Sequence, residues 1–193
     1  MSKNKKRLPE VIVFAGPNGS GKTTITRMAK TIGVYINADD IKKSNVCSDL
    51  EAAIKAEELR ELMVGKCEDF TFETVLSTDR NLKLLQKAKE KGYFLRCIYV
   101  LTSDYRINIA RVNIRESMGG HSVPEDKIKS RYFKALDLIP KLIEFCDIVH
   151  IYDNTNVPFR IFKKRKDVYY HWEDKYWKYS DIEKLTEIHE YEN

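Results

Sequence analysis

The sequence has no long apolar run. Its longest, "VIVFA" and "CIYVL", are strand-length, against roughly 20 consecutive apolar residues needed to cross a bilayer, so no membrane span is expected. Close cysteine pairs are also missing. Cys47, Cys67, Cys97 and Cys146 are scattered and form no CxxC, and the four histidines add no paired ligands. That gives no basis for a structural zinc site and fits free thiols in a reducing cytosol. Internal repeats, low-complexity tracts and linkers rich in glycine or proline are absent as well. A chain of 193 residues with 42% hydrophobic and 33% charged residues then reads as one globular domain with a sizeable core. The basic start "MSKNKKRLPE" leads into only a strand-length apolar segment, so residues 1–9 are expected to be a solvated tail and not a leader. Lysine and arginine total 34 against 29 acids, a net charge of +5; that suits an anionic ligand but equally describes a solvated surface.

What is present is an alternation of strands and helices. "VIVFA" (11–15), "VYIN" (34–37), "FTFET" (70–74), "YFLRCIYVL" (93–101) and "DIVHIYD" (147–153) read as strands, and the segments between them carry helical spacing and caps. In the first helix the spacing predicts Ile25, Met28, Ala29 and Ile32 on one apolar face, and Pro140 predicts a bend or break in the helix after "EDKIK". The pattern predicts an α/β fold: a three-layer sandwich with a mostly parallel sheet and helices on both faces. The last forty residues read as a hairpin, "RIFKKR" with "VYYHW", followed by a helix near 181–189.

Behind the first strand stands "GPNGSGKTT". Gly16, Gly21, Lys22 and Thr23 satisfy GxxxxGK[ST] between a strand and a helix, the context that the phosphate loop requires. Glycines at Gly16, Gly19 and Gly21, with Pro17, Asn18 and Ser20 between them, let backbone N–H groups converge on phosphate oxygens. Lys22 reaches the β- and γ-phosphates, and the Thr23 hydroxyl is a hard ligand for Mg²⁺, with Thr24 next in the helix. ATP or GTP binding follows.

Two further absences narrow the use of that triphosphate. A motor ATPase places an acid after a later apolar strand, but "RCIYVL" runs into Thr102 and Ser103, and Asp153 comes very late. "ESMGGH" resembles the ABC signature only faintly and lacks its helical insertion. No Asn-Lys-x-Asp base reader of a GTPase occurs. Acids lie instead at Asp39 and Asp40, beyond the second strand, and at Glu73, ending the third. In a parallel sheet these share the edge of the phosphate loop, where a carboxylate can take a proton from an attacking hydroxyl. Asp39 and Asp40 could equally cap "IKKSN". Arg111 and Arg115, with Asn108 beside them, lie four apart on one helix face. Lys127 and Arg131 repeat the spacing after "MGGHSVP", so residues 108–131 read as a lid over phosphates; the plainer alternative is surface arginines.

"FAGPNGSGKTT", "INADDI", "FETVLS", "GYFLRCIYVLTS", "ARVNIR", "GGHSVPEDKIKSRY" and "YDNT" occur in the order found in zeta-toxin-like P-loop kinases, including the branch labelled predicted ABC-type ATPase. The resemblance spans residues 10 to 155. It implies transfer of the γ-phosphoryl of ATP, with Mg²⁺, to the 3′-hydroxyl of UDP-N-acetylglucosamine, and an antitoxin protein as partner. By position, Asp39 resembles the catalytic base, Asn37 takes the place of a preceding acid, and Glu73 with Thr74 and Asp40 resembles the acceptor-binding set. Arg111 matches one lid arginine. Where the family carries the second, this chain has His121, so either Arg115 or Arg131 supplies that charge or the acceptor differs. Two other functions stay open at this level. One is a nucleic-acid end kinase using "FKKRKDVYYHWEDKYWKY", although acids and bases are mixed there. The other is an ATP-binding sensor with weak transfer chemistry. A cytoplasmic location is expected.

Overall fold

The computed structural model describes residues 7–44, 47–120 and 122–192. The elements follow as β1 (Glu10–Ala15), α1 (Lys22–Met28), β2 (Val34–Ile36), α2 (Ala38–Ser44), α3 (Asp49–Lys66), β3 (Phe70–Thr74), α4 (Arg80–Glu90), β4 (Phe94–Leu101) and α5 (Tyr105–Ser117). They continue as α6 (Glu125–Asp137), α7 (Ile139–Phe145), β5 (Ile148–Asp153), β6 (Phe159–Arg165), β7 (Val168–His171) and α8 (Tyr179–Thr186). One seven-stranded sheet has the order β2-β3-β1-β4-β5-β6-β7. Strands β1 to β5 pair in parallel, and the C-terminal hairpin extends the sheet antiparallel. This is the α/β P-loop fold that the alternation of elements predicts.

Residues 11–15 are buried on both faces, which is why β1 reads as an unbroken apolar run. The main core joins Val11, Val13, Phe72, Tyr99, Ile151 and Phe162 to the apolar sides of α3, α4, α7 and α8. At α3, Ser48 and Glu51 form a reciprocal capping box, which satisfies two N-terminal N–H groups. Pro140 acts as expected: it occupies the first turn of α7, where no N–H is needed, and separates α7 from α6.

The first helix departs from its predicted face. It stops at Met28, which is 84% exposed, and Ala29 is already extended. The cause is tertiary: the β3 residue Thr71 accepts at its hydroxyl from Ile32 N–H and donates to Ile32 C=O, holding the segment after Ala29 outside the helix, and Gly33 (φ 54°) turns it into β2. The last helix also ends earlier than expected, because Glu187 adopts a left-handed φ of 58° as its C-cap.

Candidate active site

The phosphate loop joins the buried end of β1 to α1, and its shape is held from outside. Gly16 N–H donates to Thr74 C=O (3.2 Å). The Asn108 amide donates to Asn18 C=O (2.6 Å) and the Asn154 amide to Ser20 C=O (2.8 Å). Lys22 Nζ folds back onto the carbonyls of Gly16 (2.6 Å) and Pro17 (2.9 Å). Four loop carbonyls are thereby tied; the N–H groups of Gly16 and Ser20 are engaged by Thr74 and Pro17 C=O, so an anion would be met by the remaining loop N–H groups. Gly16 (φ 140°) is packed so closely that a Cβ would lie 1.9 Å from Val100 O, so only glycine fits there.

Burial drives the Lys22 ammonium down from its ordinary 10.5 to about 8, against the opposing pull of Glu73 and Asp39; Arg115 lowers it further. Between pH 8 and 10.5 the folded protein therefore holds fewer protons than the unfolded chain, and this group's contribution to stability rises with pH across that window. A bound triphosphate restores the ammonium. Nucleotide binding should then take up no proton at Lys22 near pH 7 and close to one near pH 9, with affinity falling as pH rises above 8. Titration calorimetry in two buffers of different ionisation enthalpy reads this directly, and Lys22→Met should abolish the uptake.

Beyond the loop a chain of polar contacts runs along the carboxyl edge of β2 and β3. Thr23 Oγ1 donates to Glu73 Oε2 (3.1 Å), and the Tyr35 hydroxyl donates to Glu73 Oε1 (2.6 Å). The Asn37 amide donates to that hydroxyl (3.1 Å), while its Oδ1 accepts from Asp39 N–H (2.9 Å) at the start of α2. Burial first, then the bond to Glu73, raises the Tyr35 phenol well above its usual range, so it stays a donor. Lys22, Thr23, Asp39, Asp40, Glu73 and Thr74 line one cleft. Thr24 and the loop residues Asn18, Gly19 and Gly21 line it too. Thr74 Oγ1 is occupied by Leu76 N–H and the Asn81 amide, so its hydroxyl oxygen holds the turn after β3. Leu76, buried in that turn, adopts a left-handed φ of 53°, a strain of order 1–3 kcal/mol beside a site.

The expected lid is only partly assembled. Arg111 and Arg115 line the cleft, whereas Arg131 and Lys127 on α6 do not. Arg111 donates Nη2 to Asn154 O (2.8 Å) and Thr155 O (3.0 Å), so it is anchored to the end of the sheet through the same asparagine that pins the loop. Gly119 and Gly120 cap α5, with Gly120 N–H on Arg115 O (2.9 Å). His121 lies outside the described residues. Asp153, the late candidate for a motor acid, is 2% exposed and accepts from Thr155, so it stabilises the β5 turn.

Several cleft residues carried no sequence signal. Arg60 is one: only 8% exposed, it lines the cleft with its guanidinium 5.2 Å above the Phe72 ring. Its Nε is buried without a hydrogen bond. Its neighbours Glu57 and Glu61 on α3 pair with Arg80 and Lys87 instead, and burial lowers its pKa. Tyr35 is another; Asn108, which follows the same helix face as Arg111 and Arg115, and Asn154 hold the loop carbonyls from outside the cleft lining.

Mg²⁺ chemistry fits this donor set. A hydroxyl oxygen and a carboxylate oxygen sit 3.1 Å apart at the phosphate loop, and among the described residues no cluster of three metal-binding side chains occurs. Few protein ligands, with the rest from phosphates and water, is the way this ion is usually held.

Comparison with known proteins agrees with the geometry. The family model described as zeta toxin matches residues 1–167. A Haemophilus influenzae protein described as uncharacterized is 30% identical over 129 residues, covering 64% of this chain and 92% of its own. The PezAT toxin-antitoxin structure from Streptococcus pneumoniae superposes with a TM-score of 0.60 at 22% identity, over 83% of this chain and 74% of that one. The AvrRxo1-ORF1:AvrRxo1-ORF2 complex with sulphate ions gives 0.70 at 15% identity, over 94% and 64%. With a phosphate loop held from four sides and two carboxylates across the cleft from it, the chain belongs to the zeta toxin family and is a P-loop kinase.

Proposed function

We infer that the protein transfers the γ-phosphoryl of ATP to a hydroxyl of a small anionic acceptor, with UDP-N-acetylglucosamine the first candidate. The observation that carries this reading is the placement of Asp39 and Glu73 in one cleft with Lys22 and Thr23. Asp39 takes the proton as the acceptor oxygen bonds to the γ-phosphorus. The bond from that phosphorus to the β-phosphate bridging oxygen breaks, and ADP leaves. Lys22 stabilises charge on the β- and γ-oxygens, and Mg²⁺ at Thr23 supplies further neutralisation when bound. Glu73, fixed by Tyr35, orients the Thr23 hydroxyl and the acceptor, while Asp40 and Thr74 flank the acceptor side. Residues 10–155 form the catalytic unit with 108–131 as its lid, Arg111 and Arg115 facing the phosphates, and residues 156–193 extend the same unit. An antitoxin-type protein partner is part of this proposal, supported by the toxin-antitoxin description of PezAT, as is a cytoplasmic site of action. Among the described residues no helix is long and apolar enough to cross a membrane.

The test is incubation with ATP, Mg²⁺ and a panel of sugar nucleotides and neutral sugars, followed by mass spectrometry for the gain of one phosphate. Failure of every acceptor while ATP binds would overturn the reading. Arg60 supports an anionic acceptor, because Glu57 and Glu61 offset its burial only from a distance, being paired with Arg80 and Lys87, and a buried cation without an ion-pair contact is costly until an anion arrives. Charged hydrogen bonds contribute about 1.5–3 kcal/mol, so Arg60→Met should raise the acceptor KM about ten- to hundred-fold, with kcat and ATP affinity little changed. An unchanged KM would remove Arg60 from the acceptor site.

A further inference from the structure

The hairpin that extends the sheet carries the mixed basic and aromatic stretch of the C-terminal region, and strand alternation sorts it. In β5, an interior strand, Val149, Ile151 and Asp153 are buried in the core, while His150 and Tyr152 lie on the opposite face. Pairing carries that face outward: His150 is opposite Lys163, Tyr152 opposite Arg160, and Lys163 opposite Tyr170. These residues and Trp172 are half-exposed, and an interior strand with one half-exposed face has no helix layered over it. Tyr169 and His171 pack on the other face, against Phe162 and Tyr191.

The sorting removes the objection that acids and bases are mixed. Asp167 lies in the β6–β7 turn, Glu173 and Asp174 lie beyond β7, and Asp153 points into the core. What remains on the face is cations and flat rings. His150 and Tyr152 lie near-parallel (10°) with centroids 6.3 Å apart, and Tyr170 and Trp172 repeat this spacing at 15°. The Arg160 guanidinium lies 4.5 Å over Trp172, and Lys163 Nζ lies 4.9 Å over Tyr170. Burial, followed by Arg160, Lys163 and Arg96, lowers His150 to about 4.

We propose that this open face of β5, β6 and β7 binds single-stranded nucleic acid, with bases stacked on Tyr170, Trp172 and the Arg160 plane and phosphates met by Lys163 and Arg160. Interleaved rings and cations without acids are the chemistry of such platforms. A second copy of this chain is disfavoured, since a two-fold contact would set the basic face against itself. An ordinary protein interface would be poorer in lysine at its centre. A duplex is disfavoured because the face is flat and offers no helix to enter a groove. The inference stands apart from the phosphoryl-transfer reading, because none of these residues lines the cleft.

Fluorescence anisotropy with a labelled oligo(U) of about 12 nucleotides tests it. Binding should be in the micromolar range near 50 mM salt, with a log–log salt slope of about −1.4 for two phosphate contacts. Trp172→Ala and Lys163→Glu should each weaken it about ten-fold or more, with the folded circular dichroism spectrum and ATP binding retained. Lys22→Ala should leave it unchanged. The proposal is overturned if no binding is seen up to about 100 µM, the weak end of non-specific binding. Equal binding by Lys163→Glu, Arg160→Glu and Trp172→Ala would also overturn it, as would equal affinity for the matching duplex. Dimers in sedimentation that Lys163→Glu disperses, with no oligonucleotide bound, would assign the face to a second copy instead.

Discussion

Asp39→Asn should lower the rate of phosphoryl transfer by about 10²- to 10⁴-fold, the usual contribution of a positioned general base, while ATP binding persists. The substitution keeps the shape of the side chain and the bond from Asp39 N–H to Asn37, so the start of α2 stays capped. On the proposed mechanism it removes the group that would accept the acceptor's proton. Single-turnover measurement with excess enzyme separates this loss from product release. A second signature distinguishes a base from a structural residue. Asp39 is one of the two carboxylates that hold the Lys22 ammonium up against burial. In Asp39→Asn the pH above which ATP binding takes up a proton should therefore fall below 8. Transfer that continues at the native rate would dismiss Asp39 as the base.

Gly16→Ala should unfold or strongly destabilise the protein, by about 3 kcal/mol or more, since both overpacking and a forbidden backbone region are involved. The new Cβ would lie 1.9 Å from the backbone oxygen of Val100 and 3.2 Å from Ser20 Oγ, at a φ of 140°. Val100 and its neighbours Tyr99 and Leu101 are fully buried at the end of the central strand β4, so relief requires moving β4 or opening the loop. A thermal midpoint lower by about 10 °C follows for a chain of this size, and nucleotide binding should be lost with it. Gly65→Ala is the control. Gly65 lies inside α3 with nothing within 4 Å of an added Cβ, so it should be neutral or stabilising by up to about 1 kcal/mol.

The fold was legible because periodicity and punctuation are local. "VIVFA" before a glycine turn, β-branched strands and capped helices each declare themselves within a few residues, and their alternation implies a mostly parallel sheet; the order of the strands came only from the folded chain. Lys22, Thr23, Asp39 and Glu73 were legible for a related reason: each ends or follows a strand on one edge. Asn108 and Asn154 were not, because an asparagine's role here depends on which loop carbonyl the folded chain brings to it. Tyr35 reads as an ordinary strand residue until its hydroxyl meets Glu73. Arg60 sits among the charges of α3, and only packing against Phe72 separates it from solvated neighbours. In the lid, the placement of the basic residues was legible only in part. Equal i, i+4 spacing suggested that α5 and α6 present arginines alike, but only α5 faces the cleft.

The two asparagines that brace the phosphate loop lie 90 and 134 residues beyond the carbonyls that they hold. During synthesis from the N-terminus the loop is made early, yet its bracing arrives only when residue 154 has left the ribosome. A chain made only through residue 107 carries the full nucleotide-binding motif without either asparagine that braces it. The bracing of the loop is therefore complete only once the chain has been made through residue 154.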